Sequence, residues 1–352
     1  MRAGIQFFPD VGPRQQSGRD YWQDALRLVG LVDRYGYHHV RTVEHYFHPY
    51  GGYSPNPIVF LAAAAQVTRH ARLVTGAVLP AFNHPLKLAG EIGMLDALCD
   101  GRLDVGFARA FLPHEFAHFG VRLDESRARF DEGMEQVGLL LEQENVSHAG
   151  RFHSFSDITS LPRPTQRPRP PFFVAALGTR ESFERAGAAG HGIMAIPMAG
   201  GMMRDLLDAF RDARARAGHE GPGTVMLAFH MFCHENQKTA EQVARAPLNR
   251  YLKSLVDAAS DWTSGARSAD YPGYDKIIAA LAQEDFDSQV AKGAAWVGTP
   301  ERILEAVNRY RDEVGNFEIA SLQVNFNDMP LAAAEESMRL FGERVLPRLP
   351  RL

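Results

Sequence analysis

RLVTGAVLPAFNHPLKLAGEIGMLDALCDGRLDVGFAR (residues 72–109) reads as one complete strand–helix–strand unit. RLVTGAVLP (72–80) is a β-rich run that ends at a proline. HPLKLAGEIGMLDALCDG (84–101) opens with Pro85, whose fixed φ suits a first helical turn, and closes on Gly101. RLDVGFAR (102–109) is the next strand. The same rhythm extends in both directions. Strands are expected at 3–8, 38–44, 172–177, 192–198, 224–233 and 318–326. Helical patterns over 20–36, 56–70, 127–144, 181–190, 203–217, 238–259, 299–315 and 332–346 lie between or after them. Alternation of this length favours an all-parallel sheet, and eight strands favour closure into a (β/α)8 TIM barrel. An open doubly wound sheet is the alternative, but no G-x-G-x-x-G follows the first strand. The proline-rich stretch LPRPTQRPRPP (161–171) reads as a loop, because the pattern resumes directly after it. Residues 261–293 break the rhythm and read as a mobile lid inserted between the seventh and eighth strands. Residues 1–352 are thus expected to form one domain.

Bulk composition narrows the function. Apolar residues make up 45% of 352, enough for a large core. Lys and Arg total 38 against 42 Asp and Glu, a net charge of −4 with no long basic run. That disfavours nucleic acid and anionic membrane as partners. Cys99 and Cys233 have no CxxC spacing and imply a reduced compartment. The first residues lack the apolar run of a signal peptide, and no stretch reaches the ~18 apolar residues of a membrane span. A cytoplasmic location is expected.

A TIM barrel builds its active site at the C-terminal ends of its strands. After the second strand stand Glu44, His45 and His48. An acid/base pair, a metal site and an ordinary polar loop are all open readings, although the H-E-x-x-H zinc spacing is absent. Gly76 interrupts the third strand and marks either a bulge beside a ligand or simple packing. Arg109 ends the fourth strand, as an anion clamp or as the partner of a loop carboxylate such as Glu115. After the fifth strand, Leu177-Gly178-Thr179 leads into a helix. Its free amides, a hydroxyl and Arg180 would suit a phosphate, or Thr179 would only cap the helix. Together these groups suit a phosphorylated cofactor over an apolar substrate cavity.

VEHYF (43–47), Leu79-Pro80 with His84-Pro85, DGRLDVGFARA (100–110), VGTPE (297–301) and SMRLFGERVLP (337–347) occur in an order that resembles the bacterial luciferase-like flavin-dependent monooxygenases, including the luciferase alpha chain. The resemblance runs nearly end to end. It implies a barrel that binds reduced FMN (FMNH2) supplied by a separate reductase. Oxygen would add to the flavin as a 4a-hydroperoxide that oxygenates an organic substrate, such as a secondary-metabolite intermediate. His45 falls on the family's catalytic histidine, with Glu44 as its support. Thr75-Gly76 falls on a non-proline cis peptide against the flavin ring. Arg109 matches the phosphate-binding arginine, and Ala176, Leu177, Gly178 and Thr179 match the phosphate segment. Val43 and Phe111 match the ring pocket, and no metal is implied. The resemblance also implies a homodimer. Ala108 stands where the light-emitting enzyme has a reactive cysteine, Ala176-Leu177 replace an acidic–serine pair, and Ile196-Pro197 stand near an expected tryptophan. These departures point away from long-chain aldehydes and light emission. Two alternatives are a deazaflavin-dependent oxidoreductase of the same superfamily and a non-catalytic flavin-binding protein.

Overall fold

The computed structural model describes residues 1–350. Its strands are β1 (Arg2–Phe7), β2 (His39–Thr42), β3 (Arg72–Val78), β4 (Leu103–Phe107), β5 (Val146–Ala149), β6 (Ser154–Ile158), β7 (Phe172–Ala176), β8 (Gly192–Ala195), β9 (Val225–Cys233), β10 (Ala295–Gly298) and β11 (Ile319–Gln323). Eight of them form a closed parallel barrel in the order β1-β2-β3-β4-β7-β8-β9-β11, with β11 returning to β1. Closure runs through β8 and β9, where Ile193 to Ala195 pair with Val225 to Leu227. The (β/α)8 expectation therefore holds.

Side-chain alternation along the strands separates two apolar regions. One residue set, including Ile5, Phe7, Val40, Leu73, Val105, Ile193, Leu227 and Leu322, packs outward into the main core beneath the helices. The alternate set, Val74, Phe173, Met194, Met226 and Ile319, forms a separate cluster inside the barrel. The helices start where the sequence indicates. Asn56 caps Pro57–Val67, His84 caps Pro85–Leu98 and Thr299 caps Pro300–Val314, each with proline in the first turn.

Three features depart from the sequence reading. An antiparallel hairpin, β5–β6, follows the helix Ser126–Glu142. Its strands VSHA and SFSDI are mostly solvent-facing, so they carry no apolar run. β10 is a ninth strand of the main sheet, paired to the far half of β9 at His230 to Cys233. Only four residues long, it lies directly after the segment read as a lid. That segment holds three short helices, Asp261–Ser264, Tyr274–Leu281 and Phe286–Ala291. Finally, β2 ends at Thr42 rather than at residue 44. Among the described residues, no helix is long and apolar enough to cross a membrane.

Candidate active site

Because β2 ends at Thr42, the chain beyond it escapes strict alternation. Val43, Glu44 and His45 all line a cavity of about 230 Å³ at the C-terminal mouth of the barrel. Phe47 then turns the chain with φ of 63°. His45 is held from several sides. Its backbone amide donates to Ser54 O at 3.1 Å. Gly51, at φ of 81°, comes so close that a Cβ there would sit 2.5 Å from His45 Cβ.

The carboxylate that partners His45 is Glu115, not Glu44. His45 Nδ1 lies 3.0 Å from Glu115 Oε1, which also accepts the Tyr46 amide at 2.8 Å. An oxygen that accepts two donors fixes the proton on Nδ1. The other ring nitrogen, Nε2, makes no hydrogen bond to the protein among the described residues. Glu115 is fully buried, and its Oε2 has no partner. The geometry allows proton transfer at Nε2, with Glu115 orienting the ring.

Glu44 turns the other way. Its Oε1 accepts from Tyr46 Oη at 2.5 Å and Asn83 Nδ2 at 2.9 Å, and its Oε2 from the Leu79 amide at 3.0 Å. It ties the end of β2 to the loop after β3. Burial pushes its carboxyl up to about 7, against the pull of these three donors. His48 accepts the Tyr50 amide and belongs to the loop. Among the described residues, no cluster of three metal-ligating side chains exists.

One wall of the cavity is Gly76 and Ala77. The non-proline cis peptide joins Gly76 to Ala77, one residue beyond the expected Thr75-Gly76 bond. Thr75 does not line the cavity. It is fully buried, and its hydroxyl both donates to Gly106 O and accepts from Gly106 N, stitching β3 to β4. The ladder to β4 shifts register between Thr75 and Val78, so a bulge accompanies the glycine.

At the opposite end, Arg109 lines both this cavity and an outer cleft of about 400 Å³ between the helices Ser126–Glu142 and Arg180–Ala188. Ser182 and Ala175 also line both spaces, and Arg127 faces the cleft. Thr179 precedes the helix without capping it. Its hydroxyl meets Ser182 Oγ at 2.7 Å and the Ser182 amide donates to Thr179 O at 3.0 Å, which leaves the Arg180 and Glu181 amides available. Ala176 and Leu177 line the cavity, as does Phe111. Gly178 does not; a Cβ there would meet Met198 Cε at 2.3 Å. Arg109 pairs with no carboxylate. It donates to Asp270 O at 2.8 Å and lies 4.7 Å over the Tyr271 ring. The segment 261–293 thus rests on the site. Tyr271 donates to Ala110 O, Trp262 to Phe111 O, and Asp270 caps the helix that carries Arg127.

Glu115 behind His45, Arg127 in the outer cleft and Ser182 in both spaces escaped the sequence reading as parts of the site. They lie inside helices or loops beyond the strand ends, where sequence spacing gives no cue.

The family model for luciferase-like monooxygenases matches residues 1–316. The oxygenase component of flavin-dependent trigonelline monooxygenase from Acinetobacter baylyi is 32% identical over 306 residues, covering 84% of this chain and 82% of that protein. The crystal structure of monooxygenase RslO1 from Streptomyces bottropensis superposes with a TM-score of 0.89 at 44% identity, covering 99% of this chain and all of that one. The oxygenating constituent of 3,6-diketocamphane monooxygenase from Pseudomonas putida, in complex with FMN, shares the fold at a TM-score of 0.84 and 20% identity, covering 100% of this chain and 99% of that one. With most of its length matched, the chain is an enzyme of the luciferase-like monooxygenase family.

Proposed function

We propose that this chain is the oxygenase of a two-component flavin monooxygenase, which takes reduced FMN from a separate reductase and uses molecular oxygen on a small organic substrate. One observation carries the reading. A single cavity runs from an uncompensated arginine beside free helix amides to a histidine oriented by a buried carboxylate. The first end suits a phosphate and the second suits proton transfer. Reduced FMN would supply the oxygen-activating chemistry. Arg109, Arg127, Thr179 and Ser182 would hold its phosphate, and the Gly76–Ala77 wall, Val43 and Phe111 would border its ring. His45 Nε2 would hold or move the proton of the reacting group. Glu115 orients it, and Glu44 keeps the strand end in place from behind.

The segment 261–293 would act as the lid. It already covers Arg109 and the Ala110–Phe111 carbonyls, so its closure would exclude water from the reacting end. Val59, Val67, Met94 and Leu98 are exposed on two neighbouring helices, which supports a homodimer through that face. Light scattering at the monomer mass would refute the dimer. Both cysteines are free and buried, in keeping with a cytoplasmic enzyme.

The test compares FMN, riboflavin and a deazaflavin by equilibrium binding, then follows reoxidation of photoreduced FMN in air. The expected outcome is preference for FMN and reoxidation slower than that of free flavin. Preference for the deazaflavin would replace the reading with the dehydrogenase alternative. Reoxidation at the free-flavin rate would refute it.

A further inference from the structure

A row of polar side chains crosses the inside of the barrel at the floor of the cavity. Strand register pairs His230 of β9 with Gln323 of β11, Gln323 with Gln6 of β1, and Gln6 with Arg41 of β2. Four adjacent strands therefore place four polar side chains at one height, and all four line the cavity. Beside the row lies the apolar cluster inside the barrel, and one step deeper His39 and Ser321 satisfy each other at 2.9 Å.

Arg41 is the charged member of this row. It is buried, with NH1 donating to Gln6 Oε1 at 2.6 Å and NH2 to Gly76 O at 3.0 Å. Its Nε has no partner, and neither do Gln323 Oε1 and His230 Nε2. No carboxylate neighbours Arg41 among the described residues; the one group that acts on its charge is Tyr251. Burial lowers Arg41 to about 10 and His230 to about 3. At neutral pH the row thus carries one positive charge and no negative one. A buried charge without a counter-charge is costly, so the site is incomplete as it stands. The other cations of the cavity are engaged elsewhere. Lys292 pairs with Glu284 at 2.8 Å, and Arg109 lies at the far end.

An aromatic wall joins this floor to His45. Ring centroids step from His45 to Phe8 at 5.4 Å, from Phe8 to Tyr251 at 5.6 Å, and from Tyr251 to His230 at 4.5 Å. A planar molecule lying along the wall would have its inner end at Arg41 and its outer end beside His45.

We propose that Arg41, with Gln6, Gln323 and His230, is the recognition site for an acidic oxygen group of the substrate, so that this enzyme takes aromatic carboxylates or phenolates. A guanidinium fork matches a carboxylate in two parallel hydrogen bonds, and each terminal nitrogen of Arg41 keeps a second N–H beyond its bond to Gln6 or Gly76. The proposal rests on the monooxygenase reading of the same cavity. A reduced flavin ring also carries delocalised negative charge and is the second source of this chemistry. The experiment separates the two.

Benzoate and benzamide are titrated calorimetrically into the full chain without flavin, and FMN is titrated separately. The wild type should bind benzoate at least about tenfold tighter than benzamide, the scale of a hydrogen-bonded charge. Arg41→Met should abolish that preference and leave FMN affinity unchanged, while Arg41→Lys keeps part of it. Equal binding of the two probes to the wild type would overturn the proposal. So would a preference that survives Arg41→Met, or a loss of FMN affinity in its place. If Arg41→Met fails to fold, Gln323→Glu supplies an internal counter-charge and should erase the benzoate preference; an unchanged preference overturns the proposal. Failure of the monooxygenase reading would show separately, as absence of FMN binding by the wild type.

Discussion

Replacing Gly76 by alanine tests how firmly the cavity wall and its floor are locked together. A Cβ at this position would lie 1.9 Å from Arg41 Nε and 2.6 Å from its Cδ and Cγ. Gly76 is not among the residues with a left-handed φ, so the cost is steric and not conformational. The clashing atoms are mid-chain atoms of a buried side chain whose tip is fixed by Gln6 and by Gly76 itself. Either the guanidinium leaves its two acceptors or the strands move apart. Overpacking costs roughly 1–3 kcal/mol. Each lost hydrogen bond to a charged group costs about 1.5–3 kcal/mol. A total of roughly 3–6 kcal/mol follows if one such bond survives. Unfolding entropy near 2.1 cal/mol/K per residue gives about 0.7 kcal/mol/K for 352 residues, so Tm should fall by about 4–8 °C. Calorimetry on the flavin-free protein measures this, with urea midpoints at constant m as a check. The same substitution in an Arg41→Ala background should cost less, with a coupling of about 1–3 kcal/mol. A Tm within about 1 °C of the wild type, or equal costs in the two backgrounds, would refute the interlock.

Three further outcomes follow from the site. Glu44 is pushed up from 4.5 to about 7, so the folded protein holds a proton that the unfolded chain has released between those values. Its contribution therefore lowers stability as pH rises across that window, by at most roughly 3 kcal/mol. Urea midpoints at its two ends should fall more for the wild type than for Glu44→Gln, and an equal fall would contradict the assignment. Glu115→Ala leaves His45 Nδ1 and the Tyr46 amide without their acceptor, which should cost roughly 2–5 kcal/mol in urea unfolding. Glu115→Gln keeps an acceptor oxygen and should cost clearly less; if the two variants are equal, the hydrogen bonds do not hold the pair. Arg109→Ala should cut FMN affinity by roughly tenfold to a hundredfold and leave riboflavin affinity unchanged, as fluorescence titration would show. Parallel loss of both ligands would place the phosphate elsewhere.

The barrel was legible because its strands are apolar and its helices announce their ends. Pro57, Pro85 and Pro300 open three helices behind side-chain caps, and these signals are local. The hairpin of Val146 to Ile158 was illegible because its residues face solvent and alternate with no apolar set. The site was legible at its strand ends: Val43, Glu44, His45, Gly76, Arg109, Phe111, Ala176, Leu177 and Thr179 all reach the cavity. Thr75 does not, because a shift of one residue along a strand exchanges inner and outer faces, and Gly178, beyond the strand end, packs against Met198 instead. The pairing of His45 with Glu115 rather than Glu44 could not be read, since it joins positions 70 residues apart through a loop geometry that no local pattern encodes. The polar floor was visible in principle. Gln6, Arg41, His230 and Gln323 each interrupt an apolar run, yet only the register shows that they share one row.

That row also explains how the barrel divides stability from function. Along β1, Ile5 and Phe7 face the helices while Gln6 faces the cavity; along β9, Leu227 and Phe229 face out while Ala228 and His230 face in. The outward set is almost wholly apolar and buried. The inward set leaves three polar atoms without partners, each costing about 1–3 kcal/mol. A strand with period two carries both sets without compromise, because a change on one face leaves the other face's contacts in place. Apolar side chains of matching shape in this row would spare the fold the cost of those atoms. That the row is instead polar and charged where it lines the cavity is the physical reason to place ligand recognition there.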